Sequence, residues 1–308
     1  MLLVATSAAA DPFSVRDQNP LLAGFGLPTA MPARLSGDWS IGADVHWGST
    51  AIFQQYGSEQ LLLDAETHES RLTLQAPLSE RFAVQVQIPY RYTGGGSLDG
   101  FIDSWHDTFG LSDGARSDLP SDRIDIAYTR SGSTALDVRS SRSGLADVQA
   151  DLGYQVISSP TTALSAWLSV KLPTGDADDL TGSGATDVSL LLAGQRQLDE
   201  RWAVFGQASA TWLGDGDLLA AQQRSVVWSG LAGLSWQAWR GLSLKAQVDA
   251  HTAAFDSDLD FLDAAVVLTV GGDYRFASGW RLDLGVSEDL AVDHSPDVVF
   301  VAAIRRNY

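Results

Sequence analysis

Apolar and polar side chains alternate with a period of two along at least ten segments of this chain, and the last segment runs into an aromatic C-terminus, Tyr308. Only an extended strand presents that period. The clearest case sets Phe82, Val84, Val86, Ile88, Tyr90 and Tyr92 on one face against Ala83, Gln85, Gln87 and Arg91 on the other. Strands with one oily and one wet face, repeated at membrane-crossing length, define a closed barrel with lipid outside and water inside. Hydrophobic residues make up 45% of the chain, yet charged or polar residues interrupt every stretch. No run therefore approaches the roughly 18 apolar residues of a spanning helix.

The alternation places strands at 35–53 and 59–75, the second irregular enough to suggest a bulge, then at Phe82 and onward to the C-terminus. Short turns near Leu78, Ser159, Asp199, Arg240 and Ser278 alternate with longer connections at 94–121, 174–185, 214–223, 256–262 and 291–296. Outer-membrane barrels have short periplasmic turns and longer outer loops. The expected fold is an all-β, antiparallel, up-and-down transmembrane barrel over residues 35–308. A hairpin at 122–139 brings it to fourteen strands if it crosses, or leaves twelve if it stands outside as an extracellular hairpin. Fourteen is preferred, because Tyr128 then sits near the inner interface and the hairpin's turn is as tight as the others. Residues 1–10 read as a short secretory signal without its basic leader. Residues 11–34 read as a periplasmic N-terminal segment.

The formal charge of −18 repels nucleic acid. With no cysteine in the chain, disulfides and thiolate chemistry are excluded. Gly94, Gly95 and Gly96 lack the Lys-Ser/Thr pair of a phosphate cradle, and no cofactor is expected. The expected surroundings are the lipid and lipopolysaccharide of a Gram-negative outer membrane, with a monomeric barrel and with the assembly machinery recognising the strand that ends at Tyr308.

On the inward faces the candidates for contact with a permeant are Arg91, Asp151, Lys171, Lys245, Asp249, Arg275, Arg281 and Asp283. Leu98, Phe101, Trp105 and Phe109 recur at near-helical spacing beside Asp99 and His106, which predicts a short amphipathic helix in the 94–121 loop. Loop carboxylates at Asp176, Asp178, Asp179, Asp256, Asp258 and Asp260 are hard oxygen donors but lack the spacing of a calcium loop. His251 with Asp249, and His46, are the residues a barrel hydrolase would use, although no serine can be nominated.

Several strings carry a family resemblance: Arg16 Asp17 Gln18 Asn19 Pro20; Pro89 Tyr90 with Gly95 Gly96, Leu98 Asp99, Trp105 His106, Phe109 Gly110 Leu111 and Arg116; Lys171 Leu172 Pro173 Thr174 Gly175 with Gly182 Ser183 Gly184; and Glu288 Asp289 Leu290 with Pro296 Asp297. Together they resemble the proteobacterial outer-membrane family catalogued as domain of unknown function 3187, with Asp17 where the family pattern has Asn. The resemblance implies an outer-membrane barrel and brings no substrate. The expected function is a channel or uptake route for small solutes, narrowed at its mouth by the loop helix. A lipid-modifying enzyme and a non-conducting structural or surface-interaction barrel are the alternatives.

Overall fold

The computed structural model describes residues 11–96, 123–290 and 294–308. Fifteen strands form one sheet: β1 (Ser40–Tyr56), β2 (Glu59–Pro77), β3 (Phe82–Gly94), β4 (Asp125–Arg130), β5 (Ser133–Val138), β6 (Arg142–Leu145), β7 (Gln149–Ser158), β8 (Thr162–Lys171), β9 (Asp187–Gln197), β10 (Trp202–Trp212), β11 (Val226–Trp239), β12 (Leu242–His251), β13 (Ala265–Arg275), β14 (Trp280–Asp289) and β15 (Val298–Asn307). Twelve of them close a ring, each antiparallel to its neighbours. The ring is sealed where β1 meets β15, from Ser40 opposite Asn307 to Ser49 opposite Val298. Closure leaves the ring no open sheet edge, as a hydrocarbon surround would require, since an unpaired backbone group there costs several kcal/mol.

The twelve-stranded alternative holds and the fourteen-stranded count does not. β3 pairs directly with β7, Phe82 opposite Tyr154, so no gap remains for two more staves. β4 and β5 have six residues each, short of the roughly nine to eleven that a tilted crossing needs. They extend the far end of β2 instead, from Glu59 opposite Arg130 to Asp64 opposite Asp125, while β6 extends β3. Nor is β2 bulged, since it pairs with β1 in unbroken register. Its alternation is disturbed because outward-parity residues on its upper half are covered: Glu66 accepts the Trp47 indole N–H at 2.9 Å, and a side chain at Gly96 would collide with it. β1 and β2 thus project as a ribbon, turned by Gly57 at φ +58°, a conformation glycine adopts at no steric cost.

Outward positions are apolar and exposed, among them Val45, Leu74, Val86, Leu152, Leu168, Leu190, Leu234, Val248, Val270, Leu284 and Ile304. Aromatic rings mark the strand ends, as in the girdles of such barrels. Trp202 stacks on Trp236 at 5.9 Å, and the Arg306 guanidinium lies over the Tyr308 ring at 4.7 Å. Trp212 and Trp228 are exposed at the opposite end. Among the described residues no helix is long and apolar enough to cross a membrane, and the one helical element is the 3-10 turn Asp260–Leu262. The expected helix at Leu98, Asp99, Phe101, Trp105, His106 and Phe109, and the signal segment 1–10, lie outside the described residues.

The two ends are distinguishable by labelling, because the chain has no cysteine of its own. Ser133→Cys, exposed on β5, is expected to react with an impermeant maleimide on intact cells, and Glu200→Cys, in the β9–β10 turn, only after permeabilisation. The reverse pattern would invert the orientation.

Candidate functional site

Residues 11–35 run inside the ring. This segment, expected on the periplasmic side, instead buries Phe13, Val15, Leu21, Leu22, Phe25, Leu27 and Met31 among inward-facing strand residues and loops. The reason is legible in its composition: a stretch this apolar with no strand period needs a covered surface elsewhere.

Its path is a hairpin entering from the short-turn end. Asp11 lies at that end, against Arg275 and Arg281 on β13 and β14. The chain climbs past β12, where the Phe13 N–H donates to Gln247 Oε1 at 2.8 Å and Asp17 Oδ2 meets His251 Nε2 at 2.9 Å. At the long-loop end the Asn19 amide donates to the Phe261 carbonyl at 2.9 Å, and residues 21–25 turn over. The returning limb passes Gly26, whose N–H donates to Asp187 Oδ2 at 2.7 Å, then Met31, whose N–H donates to Gln207 Oε1 at 2.8 Å, then Leu35, whose N–H donates to Gln155 Oε1 at 2.7 Å. β1 begins a few residues on. Both limbs therefore open to the same end.

Arg16 ties the limbs together. Its guanidinium donates to the carbonyls of Ala23, Phe25 and Leu27 at 2.5–2.9 Å, satisfying turn carbonyls that have no strand partner. The tip then docks on two wall cations. Arg91 donates to the Ala23 carbonyl at 2.8 Å, and Lys171 donates to the Gly24 carbonyl at 3.0 Å. Lys171 also lies 2.8 Å from Asp147 and 3.1 Å from Asp187. Close approach demands glycine at both points: a Cβ on Gly24 would sit 2.9 Å from the Gly182 backbone, and one on Gly26 would sit 2.8 Å from Asp187 Cβ. Above the tip, Leu21, Leu22 and Phe25 join Leu180, Leu213, Leu218, Phe255, Leu259 and Phe261 in one apolar cluster that seals the long-loop mouth. Phe25 meets Phe255 edge-on at 5.5 Å.

Below the seal the wall is polar. Gln85, Gln87, Gln155, Ser165, Ser169, Ser189, Gln207, Ser209, Thr211, Ser243, Gln247, Thr269 and Ser287 are all buried and face inward. A charged belt crosses the strands near the plug. Glu69 accepts from Arg91 at 2.5 Å and from Arg71, which lies 3.8 Å from Asp44. The His46 ring stands 3.6 Å from Asp44 and 3.9 Å from Glu69. Lys245 pairs with Asp283 and lies 3.9 Å from Asp273. At the short-turn mouth burial alone would raise the Asp11 carboxyl, but Arg281, Arg275, Arg305 and Lys245 outweigh it and hold it down to about 2.

All eight residues expected to meet a permeant point inward. Arg91, Lys171, Lys245, Arg275 and Arg281 hold plug groups or their wall acids, and Asp151 accepts from Gln85, Gln87 and Gln149. Asp249 accepts from Gln247. Of the hydrolase candidates, both ring nitrogens of His251 are taken, by Asp17 and the Thr252 carbonyl, with no serine hydroxyl bonded to it. Asp176, Asp178, Asp179, Asp256, Asp258 and Asp260 stay on the loops: Asp179 lies 3.7 Å from Arg142 and Asp256 lies 3.4 Å from Arg224. No group of three or more metal-binding side chains forms among the described residues. Alternation could not reveal Asp11, Arg16, Asp17, Glu69, Asp147 or Asp187 as parts of one site, because their meeting depends on the plug.

A twelve-stranded antiparallel barrel, filled by a hairpin of its own N-terminal segment, has the fold of outer-membrane β-barrels. The family model of the protein of unknown function DUF3187 matches residues 3–308, and the chain belongs to that family. The COG4313 outer membrane channel from Pseudomonas putida F1 superposes with a TM-score of 0.60 at 17% identity, over 89% of this chain and 97% of that one. The KdgM porin gives 0.47 at 6% identity over 87% and 99%, and the toluene transporter TbuX of Ralstonia pickettii 0.45 at 10% identity over 99% and 97%. No curated protein matches the chain.

Proposed function

We propose that this protein is an outer-membrane channel for small solutes, closed by its N-terminal hairpin and opened when that hairpin withdraws toward the periplasm. The observation that carries the reading is that both limbs of the plug open to one end, so it can leave without threading the ring. The polar wall supports it: a barrel needing only a solid core would fill its interior with large apolar side chains, whereas these strands line it with Gln, Ser, Thr and paired charges. The amphipathic stretch from Leu98 to Leu111 would add a second constriction at the outer mouth, and the strand ending at Tyr308 would be read by the assembly machinery.

A non-conducting structural barrel is the second reading. It is favoured by the fit of the plug, against which, among the described residues, lie two cavities of about 30 Å³ each, room for about one water. Planar-bilayer recording separates the two. The channel reading expects brief openings in the intact protein and sustained ones without residues 11–34; silence from both forms would reject it.

The Asp17–His251 contact, at 2.9 Å, would act as one latch of the plug. A hydrogen bond to a charged group contributes about 1.5–3 kcal/mol, so Asp17→Ala is expected to raise the open-to-closed ratio roughly ten- to hundredfold. An unchanged open probability would remove the latch.

A further inference from the structure

The inward face of the short-turn mouth carries an arrangement that the wall alone does not explain. Arg275 on β13 lies directly opposite Arg281 on β14, and Arg281 lies directly opposite Arg305 on β15. Like charges at paired positions repel, because their Cβ atoms are only about 4.5–5.5 Å apart. Lys245 on β12 adds a fourth cation two inward-facing positions deeper. The wall acids beside them are Asp273 and Asp283, and these are engaged: Asp283 accepts from Lys245 and, at 2.8 Å, from Arg281 Nε, while Asp273 lies 3.5 Å from Arg275 Nε and 3.9 Å from Lys245. Asp44 on β1, the next acid around the ring, lies 3.8 Å from Arg71. Four cations against Asp273, Asp283 and an Asp44 shared with Arg71 leave the row with an excess of positive charge.

The plug supplies a further anion. Asp11 Oδ2 accepts from Arg281 Nη1 and lies 3.3 Å from Arg275 Nη2, while the Asp11 backbone carbonyl accepts from Lys245 Nζ at 3.2 Å. The neutralising carboxylate thus belongs to the plug and not to the ring.

We propose that the Arg275–Arg281–Arg305 row is a binding site for small organic carboxylates, which Asp11 occupies while the plug is seated. Adjacent guanidinium forks suit a carboxylate better than a spherical ion, because each presents paired N–H donors in a plane. The site rests on the plugged-channel reading for its role: a carboxylate permeant would take the place of Asp11 once the plug has left. Its chemistry does not depend on that role, and it lies at the short-turn mouth, away from the tip contacts of Arg91 and Lys171.

Chemical rescue tests it in the full-length protein. Asp11→Ala is expected to lower the thermal midpoint of the barrel, and acetate at constant ionic strength to restore most of the loss. Acetamide should restore none. Acetate should not shift the intact protein, whose site is filled, nor the Asp11→Ala/Arg281→Gln double variant, whose site is broken. An absent acetate effect on Asp11→Ala, or one matched by acetamide or kept in the double variant, would overturn the site. A second arm uses the form lacking residues 11–34, exported behind a foreign leader, in a potassium chloride gradient. Anion selectivity that Arg275→Gln and Arg281→Gln together abolish supports the site, and selectivity indifferent to those substitutions refutes it. A silent deletion form would reject the channel while leaving acetate rescue to decide the site.

Discussion

Deleting residues 11–34 converts a mostly closed barrel into one with sustained conductance. The expectation follows from what holds the ring and what fills it. The twelve staves pair antiparallel with one another all the way round, and the closing pair β1–β15 starts at Ser40, beyond the deleted segment. Closure does not use the plug. What the deletion uncovers at mid-height is polar: Gln85, Gln87, Gln207 and Gln247 lose plug partners and gain water. The apolar tip is the part whose loss is felt, since Leu21, Leu22 and Phe25 are withdrawn from the cluster beneath the loops. Burial of each such side chain stabilises by about 1.5–3 kcal/mol, so the long-loop seal should loosen while the ring persists. The deletion form should therefore still migrate differently before and after boiling on a denaturing gel. Deletion that abolishes this heat-modifiable migration would mean the plug is a folding core, and deletion that keeps it without conductance would mean that the loops alone close the mouth.

The strand ring was readable because a period of two is a direct image of backbone geometry, independent of what lies inside. Phe82 to Tyr92 faced outward in the sequence and face outward in the fold. The hairpin at 122–139 misled for a related reason: Ile124, Ile126 and Tyr128 do alternate, and alternation reports that a strand has two environments without saying that one of them is lipid. Ile126 and Tyr128 are buried against the seal beneath the loops. The plug was invisible to this logic, since it is neither helix nor strand and its partners sit 161 to 270 residues away for Gly26 and Asp11. One clue was present. The strings that carry the family resemblance are far apart in sequence, yet Arg16 Asp17 Gln18 Asn19 Pro20 forms the plug's rising limb, and Lys171, with Gly182 Ser183 Gly184, forms the socket for its tip. The departure at Asp17 falls on the residue that meets His251.

Glu69→Gln should be the most destabilising single substitution in the wall. Glu69 is buried at 2% exposure and is the acceptor for both Arg71 and Arg91, themselves at 5% and 2%. A glutamine keeps the shape, removes the charge, and leaves Arg91 without its acid and Arg71 with only Asp44, 3.8 Å away, in a desolvated belt. Losing one partner of a buried pair costs about 3–5 kcal/mol, far above the median of about 0–1 kcal/mol for an exposed pair. Urea titration of the barrel folded into vesicles should show a drop of that size. The effect also has a direction within the molecule: Arg91 donates to the Ala23 carbonyl at the plug tip, so a relaxed Arg91 should weaken seating of the plug. Arg91→Gln should then make Glu69→Gln cheaper than it is alone, because the second substitution then takes Glu69 only from Arg71, which keeps Asp44, and contacts within one network do not add. A loss below about 1 kcal/mol would mean that water reaches the belt with the plug in place, and strict additivity would mean that Glu69 serves its two arginines independently.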